Sequence, residues 1–200
     1  MKDKYYYEYE WDRNYCYPNS YILRNKLNIT DQAELEEAER AITSLKMSQA
    51  VSMGISGDFD FEHLKAIHKF LFEDIYEWAG KVRTVNISKG NQFCRFEYID
   101  VQAEKLLNKL KSENHLKDCR NVYEIGKRLA YYLSEINVIH PFREGNGRTQ
   151  RLFIELLAKN AGYTIDFMKI AEYEMLEASV KSYACDYELM ENIITNALSD

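Results

Sequence analysis

The chain has little that would interrupt a helix. Its 200 residues include only two prolines, Pro18 and Pro141, and eight glycines, so long uninterrupted helical stretches are allowed and proline-rich linkers are excluded. Apolar runs are short, and none approaches the roughly 20 residues that a membrane-spanning helix needs. Four cysteines, Cys16, Cys94, Cys119 and Cys185, stand far apart with no CxxC pair, which argues against a zinc cluster or a disulfide framework. Basic excess is missing too. The formal charge of −6 argues against a general nucleic-acid binder, although a local basic site stays open. With no apolar leader after Met1 and widely spaced cysteines, the expectation is a cytoplasmic, membrane-free protein with reduced thiols.

Tyrosine, by contrast, is abundant, with sixteen in all. Several gather in Tyr5-Tyr6-Tyr7-Glu8-Tyr9-Glu10-Trp11, where aromatic rings can pack the N-terminus onto a domain or meet a partner. Helical periodicity follows. Leu35, Ala38, Ile42 and Leu45 share one helical face between Asp31 and Gln49, and Leu64, Ile67, Leu71 and Ile75 repeat the spacing with His68 read as a packing histidine. Further helices are expected over Val101–Lys111 with Asp100 as cap, over Val122–Ile136, from Gly147 to about Asn160, and roughly over Met168–Val180 and Asp186–Leu198. Residues 83–93 differ in texture: alternation followed by Gly90-Asn91 reads as a short hairpin, better suited to a flap than to a sheet core. The expected architecture is an all-α single domain over residues 1–200, its core spanning about 31–180, with one small β-hairpin flap.

The chemistry concentrates between two of these helices, in His140-Pro141-Phe142-Arg143-Glu144-Gly145-Asn146-Gly147-Arg148-Thr149-Gln150-Arg151. Gly145 and Gly147 allow close backbone approach, and the free N–H groups of a following helix can cradle a phosphate or can simply mark a glycine-rich helix entry. Asn146 adds an amide donor. Arg148 and Arg151, three apart, are expected over one helical face, where their guanidiniums suit phosphate oxygens. Glu144 suits Mg²⁺ as a hard oxygen ligand, or else pairs with an arginine. His140 has the pKa range of a base for an attacking hydroxyl, Pro141 disfavours α geometry for it, and Phe142 anchors the loop. The order is not that of a P-loop, an HExxH zinc site or a GxSxG elbow.

His140, Phe142, Glu144, Gly145, Asn146, Gly147, Arg148 and Arg151 fill every specified position of HxFx[D/E]GNGRxxR, so the sequence closely resembles the Fic family. The stretch Ile75–Thr84 and the segment up to Phe93 resemble that family's lead-in and flap. The resemblance implies a helical core, ATP as co-substrate, Mg²⁺ on Glu144, and transfer of AMP to a Tyr, Thr or Ser hydroxyl of a target protein with His140 as base. It further implies that Gly145, Asn146, Gly147 and Arg148 hold phosphates, that Arg151 reaches the distal one, and that Thr84, Val85, Asn86, Ile87, Ser88 and Lys89 align the target by backbone pairing. The phosphorylating branch of the family carries Lys where Gly147 stands, so Gly147 favours adenylylation, with a phosphotransferase as the alternative and an inactive interaction module after it. Inhibition in the family uses [Ser/Thr]xxxE[Gly/Asn]. Thr30 and Glu34 are followed by Leu35, and Glu191-Asn192 is preceded by Tyr187 at the required place, so neither match is complete. A toxin-type enzyme whose Arg151 is restrained by a small antitoxin-like partner, or not restrained at all, is the leading expectation, with Glu191 as the internal candidate.

Overall fold

The structure, a computed structural model, describes the backbone of residues 7–8 and all of residues 14–199. The tyrosine cluster lies outside the described residues apart from the backbone of Tyr7 and Glu8. Among the described residues there are seven α-helices: α1 (Gln32–Met53), α2 (Phe61–Phe72), α3 (Ile99–Ser112), α4 (Val122–Ile139), α5 (Asn146–Asn160), α6 (Glu172–Tyr183) and α7 (Glu188–Ala197). The strands are two residues long: β1 (Tyr7–Glu8), β2 (Ser88–Lys89), β3 (Asn91–Gln92), β4 (Thr164–Ile165) and β5 (Leu198–Ser199). The mainly helical class with a small flap is therefore as expected.

Several helices start where a side chain satisfies an otherwise unpaired N–H group. Asp31 accepts from Glu34 N, Asp60 from His63 N and Asn121 from Glu124 N. Asp100 does not cap α3. A 3₁₀ turn at Phe96–Tyr98 runs into the helix, Tyr98 is the cap residue, and Asp100 falls in the first turn, where a carboxylate still favours the helix N-terminus. Helix α4 runs about one turn further than its apolar pattern, to Ile139, with His140 as its cap residue.

The core forms where α2, α4 and α5 present Leu64, Ile67, Leu71, Leu129, Ile136, Leu152, Phe153 and Leu157, all almost fully buried. Burying each such side chain is worth roughly 1.5–3 kcal/mol. Helix α7 closes on α4 at Gly126, where an added Cβ would lie 2.2 Å from Thr195 Oγ1 and 3.1 Å from its Cα. Helix α1 departs from expectation: Leu45 is 63% exposed, while the buried stripe is Leu35, Glu39, Thr43 and Ala50. A helix that buries a carboxylate and a hydroxyl must satisfy them, and Arg148 of the motif is a partner of both.

The flap is a three-stranded ribbon in the order β1-β2-β3, with Tyr7 opposite Lys89 and Ser88 opposite Gln92. On the β3 side, Tyr183 Oη donates to Gln92 O at 2.7 Å and Cys94 N donates to Val138 O at 3.0 Å. The flap is thereby moored to α6 and to the end of α4. All four cysteines are free, and no helix among the described residues is long and apolar enough to cross a membrane.

Candidate active site

The motif begins where α4 ends. His140 caps the helix with φ 47° and ψ 63°, a left-handed conformation that is uncommon for a residue with a side chain. Its N–H still bonds Ile136 O at 2.9 Å, so the chain leaves the helix sharply and presents the imidazole at the helix end. The ring's Nδ1 lies 3.1 Å from Asn137 O. A carbonyl only accepts, so Nδ1 carries the proton and the lone pair is on Nε2. The Phe93 ring of the flap stacks on the imidazole at 3.8 Å and 15°, leaving His140 3% exposed. Burial, followed by the nearby positive charges of Arg83 and Lys89, brings its pKa down to about 3 against the raising effect of the Asn137 carbonyl. At neutral pH the imidazole is a neutral base.

The loop after His140 is pinned from three sides. Phe142 is buried and stacks on His68 at 3.9 Å. His68 is itself fully buried. Its Nδ1 accepts from Gly80 N at 2.7 Å, so Nε2 donates to Glu144 O at 3.0 Å. It is a packing histidine, as expected, and it also fixes the carbonyl of the motif carboxylate. Asn146 corrects an expectation. Its Oδ1 accepts from Phe142 N at 2.9 Å and its Nδ2 donates to Phe142 O at 2.7 Å, so the side chain staples the loop and is 3% exposed. Gly145 stands at φ 79° as the α5 cap, and a Cβ there would meet the Phe72 ring at 2.2 Å.

The three guanidiniums of the motif diverge. Arg143 is buried against the Tyr15 ring, 5.8 Å from its centroid, with Cys16 Sγ at 3.9 Å. Arg148 reaches α1, with Nη2 2.6 Å from Glu39 Oε2 and Nη1 3.2 Å from Thr43 Oγ1, while Glu144 Oε1 lies at 3.5 Å. The expectation that Arg148 and Arg151 share one face therefore fails: the buried Glu39 draws Arg148 toward α1. Only Arg151 lines the cavity. It makes no hydrogen bond or ion pair among the described residues, and burial pulls its pKa down, with Arg148 adding to the effect and Glu172 opposing it.

That cavity has a volume of about 560 Å³ and is lined by Lys89 and Phe93 of the flap, His140, Gly147 and Arg151 of the motif, and Met175 of α6. A base, a helix N-terminus with no side-chain cap and a half-buried cation thus face one space, which suits an anionic ligand with an apolar end. Glu144 Oε1 accepts from Gly145 N at 2.8 Å. No group of three or more His, Cys, Asp or Glu side chains able to hold a metal exists among the described residues. A single carboxylate completed by phosphate oxygens and water fits Mg²⁺, which seldom needs an all-protein cage.

The target-facing flap residues are spread over several environments. Thr84 N bonds Tyr15 Oη at 3.2 Å, Asn86 Oδ1 accepts from Phe96 N at 3.1 Å, and Ile87 is buried. Val85 and Ser88 are half-buried, and Lys89 lines the cavity. Glu191 lies 3.6 Å from Lys127 and is not among the residues lining the cavity, so it does not engage Arg151. Sequence reasoning missed Arg83. Its buried guanidinium donates from Nε to His140 O at 2.8 Å and from Nη2 to Ile139 O at 3.4 Å. It also bonds the carbonyls of Val85 and Cys94 at the two ends of the flap. Nothing in local periodicity marks such a residue.

Comparison with known proteins places this geometry in context. Residues 58–158 match the Fic/DOC family. The chain is 41% identical over 172 residues to the probable protein adenylyltransferase y4lH of Sinorhizobium fredii, covering 86% of this chain and 88% of that relative. It is 42% identical over 187 residues to the protein adenylyltransferase VbhT of Bartonella schoenbuchensis, covering 93% of this chain but only 39% of VbhT. Among solved structures it is similar to the BepC effector of Bartonella tribocorum with bound AMPPNP. There the TM-score is 0.86 at 25% identity, covering 94% of this chain and 97% of that one.

Proposed function

This chain belongs to the Fic/DOC family, and on that premise we propose that it is a protein adenylyltransferase of the toxin type, moving AMP from ATP to a hydroxyl of a target protein. The observation that carries the reading is His140, a neutral base whose Nδ1–H is committed to Asn137 O, facing one cavity together with Gly147 and Arg151. The acceptor oxygen attacks the α-phosphorus and passes its proton to Nε2 of His140. A new O–P bond forms, the bond from the α-phosphorus to the bridging oxygen breaks, and pyrophosphate leaves.

The N-terminus of α5 with Gly145 and Gly147 takes the inner phosphates, and Arg151 neutralises the distal one. Asn146 shapes that loop, and Arg148 acts on it from behind. Glu144 would hold Mg²⁺, which supplies charge neutralisation at the phosphates. Thr84 through Lys89 offer an extended target segment backbone partners. Residues 7–8 of the chain occupy that edge of β2 in the structure, which supports its use as a pairing edge. Gly147 favours adenylylation over phosphorylation, since a lysine there would add a second cation beside Arg151, whose Nη1 is 3.4 Å from the Cβ position of residue 147.

Incubation of the protein with Mg²⁺, ATP and a bacterial protein extract distinguishes the chemistries. Label on the α-phosphorus should become covalently attached to protein and label on the γ-phosphorus should not. Retention of the γ label instead would identify a phosphotransferase, and retention of neither by any protein would leave an interaction module.

An antitoxin-like helix is part of the same proposal. Arg151 is a half-buried cation without an ion pair among the described residues, and Met175 gives the cavity an apolar wall. Both suit an amphipathic helix that carries one glutamate. A synthetic helical peptide with the Ser-x-x-x-Glu-Asn pattern should slow α-label transfer, and the same peptide with Gln in place of Glu should not. Equal rates with both peptides would sink this part of the proposal.

A further inference from the structure

Helix α1 buries two polar side chains where its sequence pattern called for an apolar face, and both meet the motif. Glu39 is 7% exposed. Its Oε2 lies 2.6 Å from Arg148 Nη2, and its Oε1 accepts from Tyr76 Oη. Thr43 donates to Glu39 O at 2.7 Å and accepts from Arg148 Nη1 at 3.2 Å. The guanidinium sits 4.8 Å over the Phe72 ring, and its remaining close anion is Glu144 at 3.5 Å. One half-buried cation is thus shared by two carboxylates, and the nearer of the two is not in the motif.

We propose that Glu39 is a positioning residue for the transfer reaction, holding Arg148 back so that Glu144 keeps its charge for the cation that accompanies ATP. The physical argument is a competition. A guanidinium between two carboxylates is drawn toward both, and the pair it forms closely is the pair it neutralises. Glu39 and Thr43 fix it on the α1 side, leaving the looser contact to Glu144. Without the Glu39 charge, Arg148 is attracted only to Glu144, closes on it and competes with the metal. The two carboxylates sense one another: the Glu39 pKa is raised by burial first and by the negative charge of Glu144 second, with Arg148 opposing both. Tyr76, whose hydroxyl is held well above its ordinary range by burial and by Glu39, stays a neutral donor and completes the anchor.

This inference rests on the adenylyl-transfer reading of the same site, and binding separates the two. A non-hydrolysable ATP analogue titrated calorimetrically into the full chain, in Mg²⁺ and in EDTA, gives the affinity gained through the metal. Glu39→Gln should lose about 10-fold or more of that gain, the scale of removing a group that orients a metal ligand, while affinity in EDTA stays at the wild-type value. A merely structural role would lower both together. If Glu39→Gln fails to fold by circular dichroism, Glu39→Asp decides. Its shorter carboxylate keeps the charge but falls short of Arg148, and a loss of several-fold is expected. A wild-type metal gain in either folded variant overturns the role of Glu39 and leaves the adenylyl-transfer reading standing. Absence of nucleotide binding by the wild type overturns both.

Discussion

Replacing His140 with Ala should reduce AMP transfer by about 10²–10⁴-fold, the range for losing a positioned general base, while nucleotide binding stays close to wild type. The two effects separate because the elements proposed to bind nucleotide lie on α5 and its entry loop, whereas His140 closes α4. Alanine removes the imidazole without touching the bonds that fix the loop. Arg83 Nε donates to the His140 carbonyl, and the His140 N–H bonds Ile136 O. Both are main-chain groups that the substitution keeps. Transfer rates and calorimetric nucleotide affinity on the same preparation provide the check. A variant that retains more than a tenth of wild-type transfer would remove His140 from the role of essential base.

The same residue fixes the expected pH dependence. The His140 pKa in the nucleotide-free protein is lowered to about 3, so the base form is present above that value and is lost only as pH falls through it. A histidine near its ordinary value would instead lose activity on passing below about 6.5. The profile of kcat/KM for the target, which reports the free enzyme, should therefore be level from about pH 8 to pH 5 as far as this group is concerned. A break between pH 6 and 7 in the wild type would mean that the Phe93 ring, by covering His140, had not lowered its pKa, whereas a variant lacking that ring should acquire the break.

What could be read from sequence here was what is contiguous or periodic. The motif packs its chemistry into twelve consecutive residues, and the buried faces of α2, α4 and α5 follow the 3.6-residue repeat. Helix termini were approximate: α1 continues to Met53, α6 starts only at Glu172 behind a 3₁₀ turn, and α3 is capped without Asp100. What escaped was the support assembled from distant segments. Glu39, Tyr76, Arg83 and Phe93 are 47–101 residues upstream of His140 in sequence number yet border the motif directly or through Arg148. Apolar periodicity reports which faces leave water, and it misread α1 because that helix buries Glu39 and Thr43 instead of Leu45. The arginines illustrate the same limit: their spacing is compatible with one shared face, and only the position of Glu39 decides that Arg148 turns away.

Arg83 supplies the second large effect. Arg83→Met should destabilise the protein by about 3 kcal/mol or more and abolish transfer to protein targets. The guanidinium is 1% exposed and its charge is compensated by main-chain carbonyls: His140 and Ile139 at the end of α4, and Val85 and Cys94 at the two ends of the flap. Burial lowers its pKa to about 10, which still leaves it charged at neutral pH. Methionine fills much of the volume but donates nothing, and each buried carbonyl left unpaired costs about 1–3 kcal/mol. For a chain of this size, 3 kcal/mol corresponds to roughly 6–12 °C in Tm. Arg83→Lys is the informative companion. One ammonium keeps the charge but cannot reproduce a planar fork that spans both flap ends, so thermal stability should recover in part while transfer to protein stays low. The Arg83 main chain is untouched in both variants, with its N–H on Pro141 O at 2.9 Å, so any difference between them reports the fork. A Tm for Arg83→Met within 2 °C of wild type, or full transfer by Arg83→Lys, would show that the flap keeps its register against the catalytic loop without this side chain.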